Sequence, residues 1–207
     1  MLVFLALSTF VFGWAGQVQA ATIKFRFTGQ VTEVPDDPQL ETQGVVLGAL
    51  VFGSMHFSSG APDFDPSPNV GDYRQNQFGV LIGIGQYGVG SEPSPGARGI
   101  TVLNDFEGRD EYRVNAGGPD TSRFGFASAE IFLVDPTGTV FSSDALPLVL
   151  PSLSEFATAE GRIMPVEVSG GISFRLTSFN VVPEPASLFL LLVALVGLGM
   201  LRRRFAR

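Results

Sequence analysis

The chain contains no cysteine, a single histidine (His56) and a single tryptophan (Trp14). The missing thiols exclude disulfide frameworks, thiolate metal sites and cysteine nucleophiles together. A Ser-His-Asp site would have to use His56 itself, which lies mid-strand between Met55 and Phe57 and reads as structural or solvated. Basic residues are scarce in the middle of the chain. Residues 21–182 hold nine Lys and Arg against 19 Asp and Glu, a net charge of −10. Such a body repels phosphate backbones, so no nucleic-acid partner is expected. The same stretch lacks any sustained run with apolar residues at i, i+3, i+4 and i+7, which excludes a helical core. G-x-S-x-G, H-E-x-x-H and Walker-type motifs are absent, and no catalysis is expected.

What is present begins at the two ends. Residues 1–20 carry an apolar run from Leu2 to Phe12 and close on Val18-Gln19-Ala20, small residues flanking one variable position. This is the pattern of a signal peptide that signal peptidase cuts between Ala20 and Ala21, although no Lys or Arg precedes the run. At the other end, Pro183-Glu184-Pro185 leads into the uncharged segment 186–201 and then Arg202-Arg203-Arg204. Sixteen helical residues at about 1.5 Å each reach roughly 24 Å. That is short of a hydrocarbon core of about 30 Å, a gap that snorkelling arginines can close. The arginines hold the end on the cytoplasmic side. The prolines make residues 182–185 a stiff, extended stalk.

A Pro-Glu-Pro triplet, a short apolar helix and an arginine cluster, in that order at the chain end, resemble the PEP-CTERM sorting signal. That resemblance covers residues 182–207 and implies an exosortase substrate exported across the inner membrane of an exopolysaccharide-producing Gram-negative bacterium. Pro183, Glu184 and Pro185 would then be the element recognised by a membrane-embedded, exosortase-type protease. Arg202, Arg203 and Arg204 would be the retention signal. The membrane-anchored chain would be released or attached at the cell surface or in an exopolysaccharide matrix. The family brings no assigned activity for the ectodomain.

The body, 21–181, reads as one all-β domain, a β-sandwich or jelly roll of about nine strands without helices, flanked by the signal-peptide helix and the transmembrane helix. Ile23, Phe25 and Phe27 alternate with Lys24, Arg26 and Thr28, which places three apolar groups on one face of a strand. Val45–Phe57 is apolar on both phases, which predicts a strand buried on both faces. Further strands are expected at Gln77–Ile84, Gly99–Phe106, Glu111–Ala116, Arg123–Val134, Thr139–Ser142, Gly161–Val168 and Ile172–Val182. Asp135-Pro136-Thr137-Gly138 has the composition of a hairpin turn. Loops are expected at 60–71, 90–99 and 117–119. Fourteen of the 19 phenylalanines fall in this body and are expected to form its core.

Two acidic groups are the site candidates. Asp63, Asp65, Asn69 and Asp72 lie within ten residues on a proline-rich loop. They supply the hard oxygens that Ca²⁺ takes at about 2.3–2.6 Å. Asp and Asn also start turns by bonding their own backbone, so the residues have a purely structural use as well. Asp105, Glu107, Asp110 and Glu111, interspersed with Arg109, form the second group. It reads as a solvated hairpin turn rather than the acid pair of a polysaccharide-active enzyme. The expected role is structural or interactive, the other being a carbohydrate- or calcium-binding module. Tyr73, Tyr87 and Tyr112 decide between them: side by side on a sheet surface they would make a sugar platform, and buried they would not.

Overall fold

The computed structural model describes residues 20–74, 77–91, 99–117, 126–165 and 170–182. Within them the chain is all-β. Ten strands run β1 (Thr22–Glu33), β2 (Leu50–Ser58), β3 (Val70–Arg74), β4 (Gly79–Ile84), β5 (Tyr87–Ser91), β6 (Gly99–Phe106), β7 (Arg109–Gly117), β8 (Phe126–Asp135), β9 (Thr158–Pro165) and β10 (Ile172–Val181). They form a single antiparallel sheet in the order β3-β6-β7-β8-β9-β10-β1-β2-β4-β5. Among the described residues the hydrogen-bond ladder is therefore one continuous sheet of ten strands, against an expectation of about nine.

The sheet curls. Tyr112 on β7 and Phe179 on β10 meet edge to face with ring centroids 6.5 Å apart. Three strand spacings separate β7 from β10, about 14 Å on a flat sheet. The rings touch because the sheet bends its apolar face inward. Alternation puts the right residues there: Phe25, Phe27 and Val31 of β1, Val51, Met55 and Phe57 of β2, and Phe174 and Leu176 of β10 are all buried, and a bulge at Thr177 shifts the phase so that Phe179 is buried too. Five of the rings form a chain, Phe57 to Phe25 to Phe179 to Phe27 to Phe174, with successive centroids 5.2 to 6.3 Å apart. Each such pair adds about 0.5–1.5 kcal/mol beyond the area it buries.

Glycines across from aromatic side chains let those side chains lie flat. The ring of Phe27 covers Gly53, that of Phe174 covers Gly161, and that of His56 covers Gly79, each the cross-strand partner of the side chain above it. Two tight hairpins use left-handed residues. Ile84-Gly85-Gln86-Tyr87 joins β4 to β5 with Gly85 at φ 58°, the glycine-first position of a type II′ turn. Phe106-Glu107-Gly108-Arg109 joins β6 to β7 with Glu107 at 54° and Gly108 at 78°, a type I′ pair.

Four sequence expectations are corrected. Val45–Phe57 is a strand only from Leu50, and it is not buried on both faces: Leu50 and Phe52 are 56% and 57% exposed. The sheet has one core face, so apolar residues on the other phase point outward. Thr139–Ser142 is not a strand; Asp135 folds 135–139 into a closed loop, and the chain reaches β9 only at Thr158. Strands β3 and β5 begin or end inside stretches expected as loops, because Gly71, Gly88 and Gly90 hide the alternation. A helix is also present, α1 (Pro38–Thr42). Asp37 caps it by accepting from the Gln39 amide at 2.7 Å, and Pro38 occupies its first turn. One turn is too short to show a period.

Candidate functional site

The ends of the described chain lie together. β1 and β10 are antiparallel neighbours, so the start of one adjoins the finish of the other: Phe25 pairs with Val181, and the Val182 amide donates to the Lys24 carbonyl at 2.8 Å. Ala20 is exposed just ahead of β1. Ala21 is fastened to Ser59 from both sides, its amide donating to Ser59 Oγ at 2.9 Å and its carbonyl accepting from the Ser59 amide at 2.8 Å. Pro183, Glu184, Pro185, Arg202, Arg203 and Arg204 lie outside the described residues, as do most of the expected signal peptide and the apolar segment 186–201. Among the described residues no helix is long and apolar enough to cross a membrane.

The acidic loop is organised by its own backbone. Asp63 Oδ1 accepts from the amides of Asp65 and Asp72, both at 2.9 Å, and Asp65 Oδ1 accepts from the Ser67 amide at 2.8 Å. The Ser67 hydroxyl, and then the Ser67 amide, hold the Asp65 carboxyl below the ordinary carboxylate range. Asp72 pairs with Arg74 at 2.6 Å. Asn69 turns its amide nitrogen to the Asn104 carbonyl at 2.9 Å, which ties the loop to β6. Among the described residues no group of three or more His, Cys, Asp or Glu side chains is placed to hold a metal ion.

The second acidic group is not a solvated turn throughout. Asp110 and Glu111 are buried. Asp110 accepts from the Asp105 amide at 2.7 Å and, through its other oxygen, from the Phe141 amide at 2.6 Å, which clamps the hairpin to the 139–142 segment. Glu111 lies between Arg109 and Arg113. Asp135, also buried, accepts from the amides of Thr139 and Thr137 and from the Thr137 hydroxyl, and these donors draw its carboxyl down to about 2. Asp110 and Asp135 are cross-strand partners on β7 and β8, and fixed donors on each brace the 105–110 hairpin and the 135–141 segment.

His56 sits on the outer face of β2. Burial, and then the nearby charge of Lys24, push its imidazole below the ordinary value of 6.5. All three tyrosines point inward and are at most 5% exposed. Tyr73 donates to the Asp144 carbonyl at 3.0 Å, and the fully buried Tyr112 hydroxyl is pushed up by desolvation. A tyrosine platform for sugars is therefore not present.

The outer face of β1, β2, β4 and β5 carries a feature that sequence reasoning missed. A cleft of about 590 Å³ is lined by Arg26, Thr28, Phe52, Ser54, Leu81 and the backbone of Gly83, Gly88 and Gly90, among others. Two register rows build it: Thr28, Phe52, Gly83, Gly88 and Arg26, Ser54, Leu81, Gly90. Its only sequence signal is an apolar second phase in β2, with alternate glycines in β5 on the far side of β4. Comparison with known proteins returns no matching family model, curated protein or solved structure.

Proposed function

We propose that this chain is a non-enzymatic exported protein, sorted to the cell surface or an exopolysaccharide matrix by an exosortase-type system, where a curled, sandwich-like ectodomain has a structural or interaction role. The reading rests on the sequence of the two ends. The observation that supports it most directly is the pairing of β1 with β10, which brings Ala21 and Val182 to the same end of two adjacent strands. A domain entered from a membrane-held signal peptide and left through a membrane-held helix needs its two attachment points on one side. Antiparallel neighbours at about 5 Å provide that without a linker.

The test is the mature ends. Expressed in a host with a matching exosortase, the protein should begin at Ala21 and end near the Pro183–Pro185 triplet when its termini are sequenced. Replacing Pro183, Glu184 and Pro185 together by alanine should leave full-length protein in the membrane fraction. Identical processing of parent and variant would refute the sorting reading.

A further inference from the structure

We infer that the outer cleft of β1, β2, β4 and β5 is a binding site for an acidic glycan, with Phe52 as the stacking platform for a sugar ring and Arg26 as the partner of a sugar carboxylate. The site is defined by its walls, its floor and its charge. Phe52 is 57% exposed and Leu81 is 62% exposed, on adjacent strands, so an apolar ridge faces water on a sheet whose other large rings are mostly inside. Leu81 covers Gly90, where a Cβ would stand 2.6 Å from Leu81 Cδ2, but along the neighbouring Gly83–Gly88 row the floor is bare. A Cβ at Gly88 would meet nothing within 4 Å, and one at Gly83 only the Phe52 carbonyl oxygen at 3.9 Å. A trough two strands wide therefore opens toward the β5 edge, where backbone can be approached closely.

The charge selects the ligand. Arg74, Arg109 and Arg113 each form an ion pair. Arg162 stands opposite Glu130, and Arg175 opposite Glu160. Arg26 has Ser54 on one side and Asn180 on the other, and Lys24, two residues away on the same face, has His56. Among the described basic residues these two alone have no acidic residue beside them in an ion pair or in register. In a body of net charge −10 they form a local cationic spot. A ligand that fits has a flat C–H face for Phe52, hydroxyls for Ser54 and a carboxylate for the planar fork of Arg26. A uronic-acid polymer has all three in each repeat. The cleft's volume falls within the range of about 300–1,000 Å³ that ligand sites occupy, and its open, strip-like form suits a chain rather than an enclosed small molecule. A second copy of this protein fits less well, since it would bring a body of the same negative charge against the first.

The site does not depend on the sorting reading, and the experiment separates the two. The full-length chain in detergent micelles is run through gels containing polygalacturonate or neutral amylose at low salt. Polygalacturonate should retard it and amylose should not. Phe52→Ala should weaken retardation about tenfold, the effect expected for one lost stacking contact. Arg26→Gln should abolish the preference for the acidic polymer. Gly88→Leu, which fills the trough without touching the core, should block binding in a protein that unfolds at the parent temperature. No retardation by polygalacturonate would overturn the proposal, as would equal retardation of parent and all three variants. A parent that dimerises and a Phe52→Ala variant that does not would overturn it in favour of self-association.

Discussion

The ring of Phe27 lies flat against the backbone of Gly53 on the next strand, so close that a Cβ at Gly53 would stand 2.0 Å from Phe27 Cζ. The ring cannot move aside, because it is stacked between Phe174 and Phe179 at 6.3 and 5.8 Å. Gly53→Ala should therefore destabilise the protein by about 1–3 kcal/mol, as an overpacked core does. Gly88→Ala, with open space at the same point, should change stability by no more than about 1 kcal/mol and in the favourable direction. Urea denaturation of the two variants checks the contrast.

Asp110 joins two parts of the chain that no strand pairing connects. Its oxygens accept from Asp105 and Phe141 amides in a site closed to water. Asp110→Ala leaves both donors without their charged acceptor and should cost about 3 kcal/mol. Amide hydrogen exchange should accelerate at Asp105 and Phe141 more than elsewhere.

Asp135 makes stability depend on acid. Its carboxyl is held down to about 2, first by the Thr139 amide and then by the Thr137 hydroxyl and amide. The folded state thus favours the ionised form. The stabilisation is fully present above the ordinary carboxylate value of 3.8 and is lost as pH falls from there toward 2. Parent and Asp135→Asn should differ in urea midpoint at neutral pH, and the gap should shrink across that window.

His56 titrates in the opposite sense. Burial and Lys24 disfavour the imidazolium, so the folded state resists a proton that the unfolded chain accepts near 6.5. Stability contributed here should fall as pH drops below 6.5 toward the lowered value. As the one imidazole in the chain, it gives a single titrating resonance by NMR. Lys24→Gln should move that resonance's midpoint upward but not fully back, since burial is the larger cause.

Period-two alternation made β1 legible: Phe25 and Phe27 against Lys24 and Arg26 fix both its type and its buried face. The same rule misled at Leu50 and Phe52, because an apolar second phase is equally the mark of a doubly buried strand and of an exposed patch. Nothing in the chain distinguishes them until the sheet is seen to have one core. Asp63 and Asp72 were visible as a cluster, but whether their oxygens face an ion or an amide depends on backbone geometry. Asp110 was hidden for a different reason. The donor it needs at Phe141 is 31 residues away, beyond any local pattern. Strands β3 and β5 escaped because glycines occupy the positions that would have marked alternation.

The placement of β10 beside β1 also sets when the molecule can mature. Thr28 and Ser178 share a hydrogen bond across 150 residues, so a nascent chain halted anywhere before the last strand keeps the central edge of its sheet unpaired. Closure must wait for the whole ectodomain to emerge. Until then that edge is exposed to any other extended polypeptide, which makes late, slow acquisition of structure and an early need for chaperone protection built-in properties of this topology.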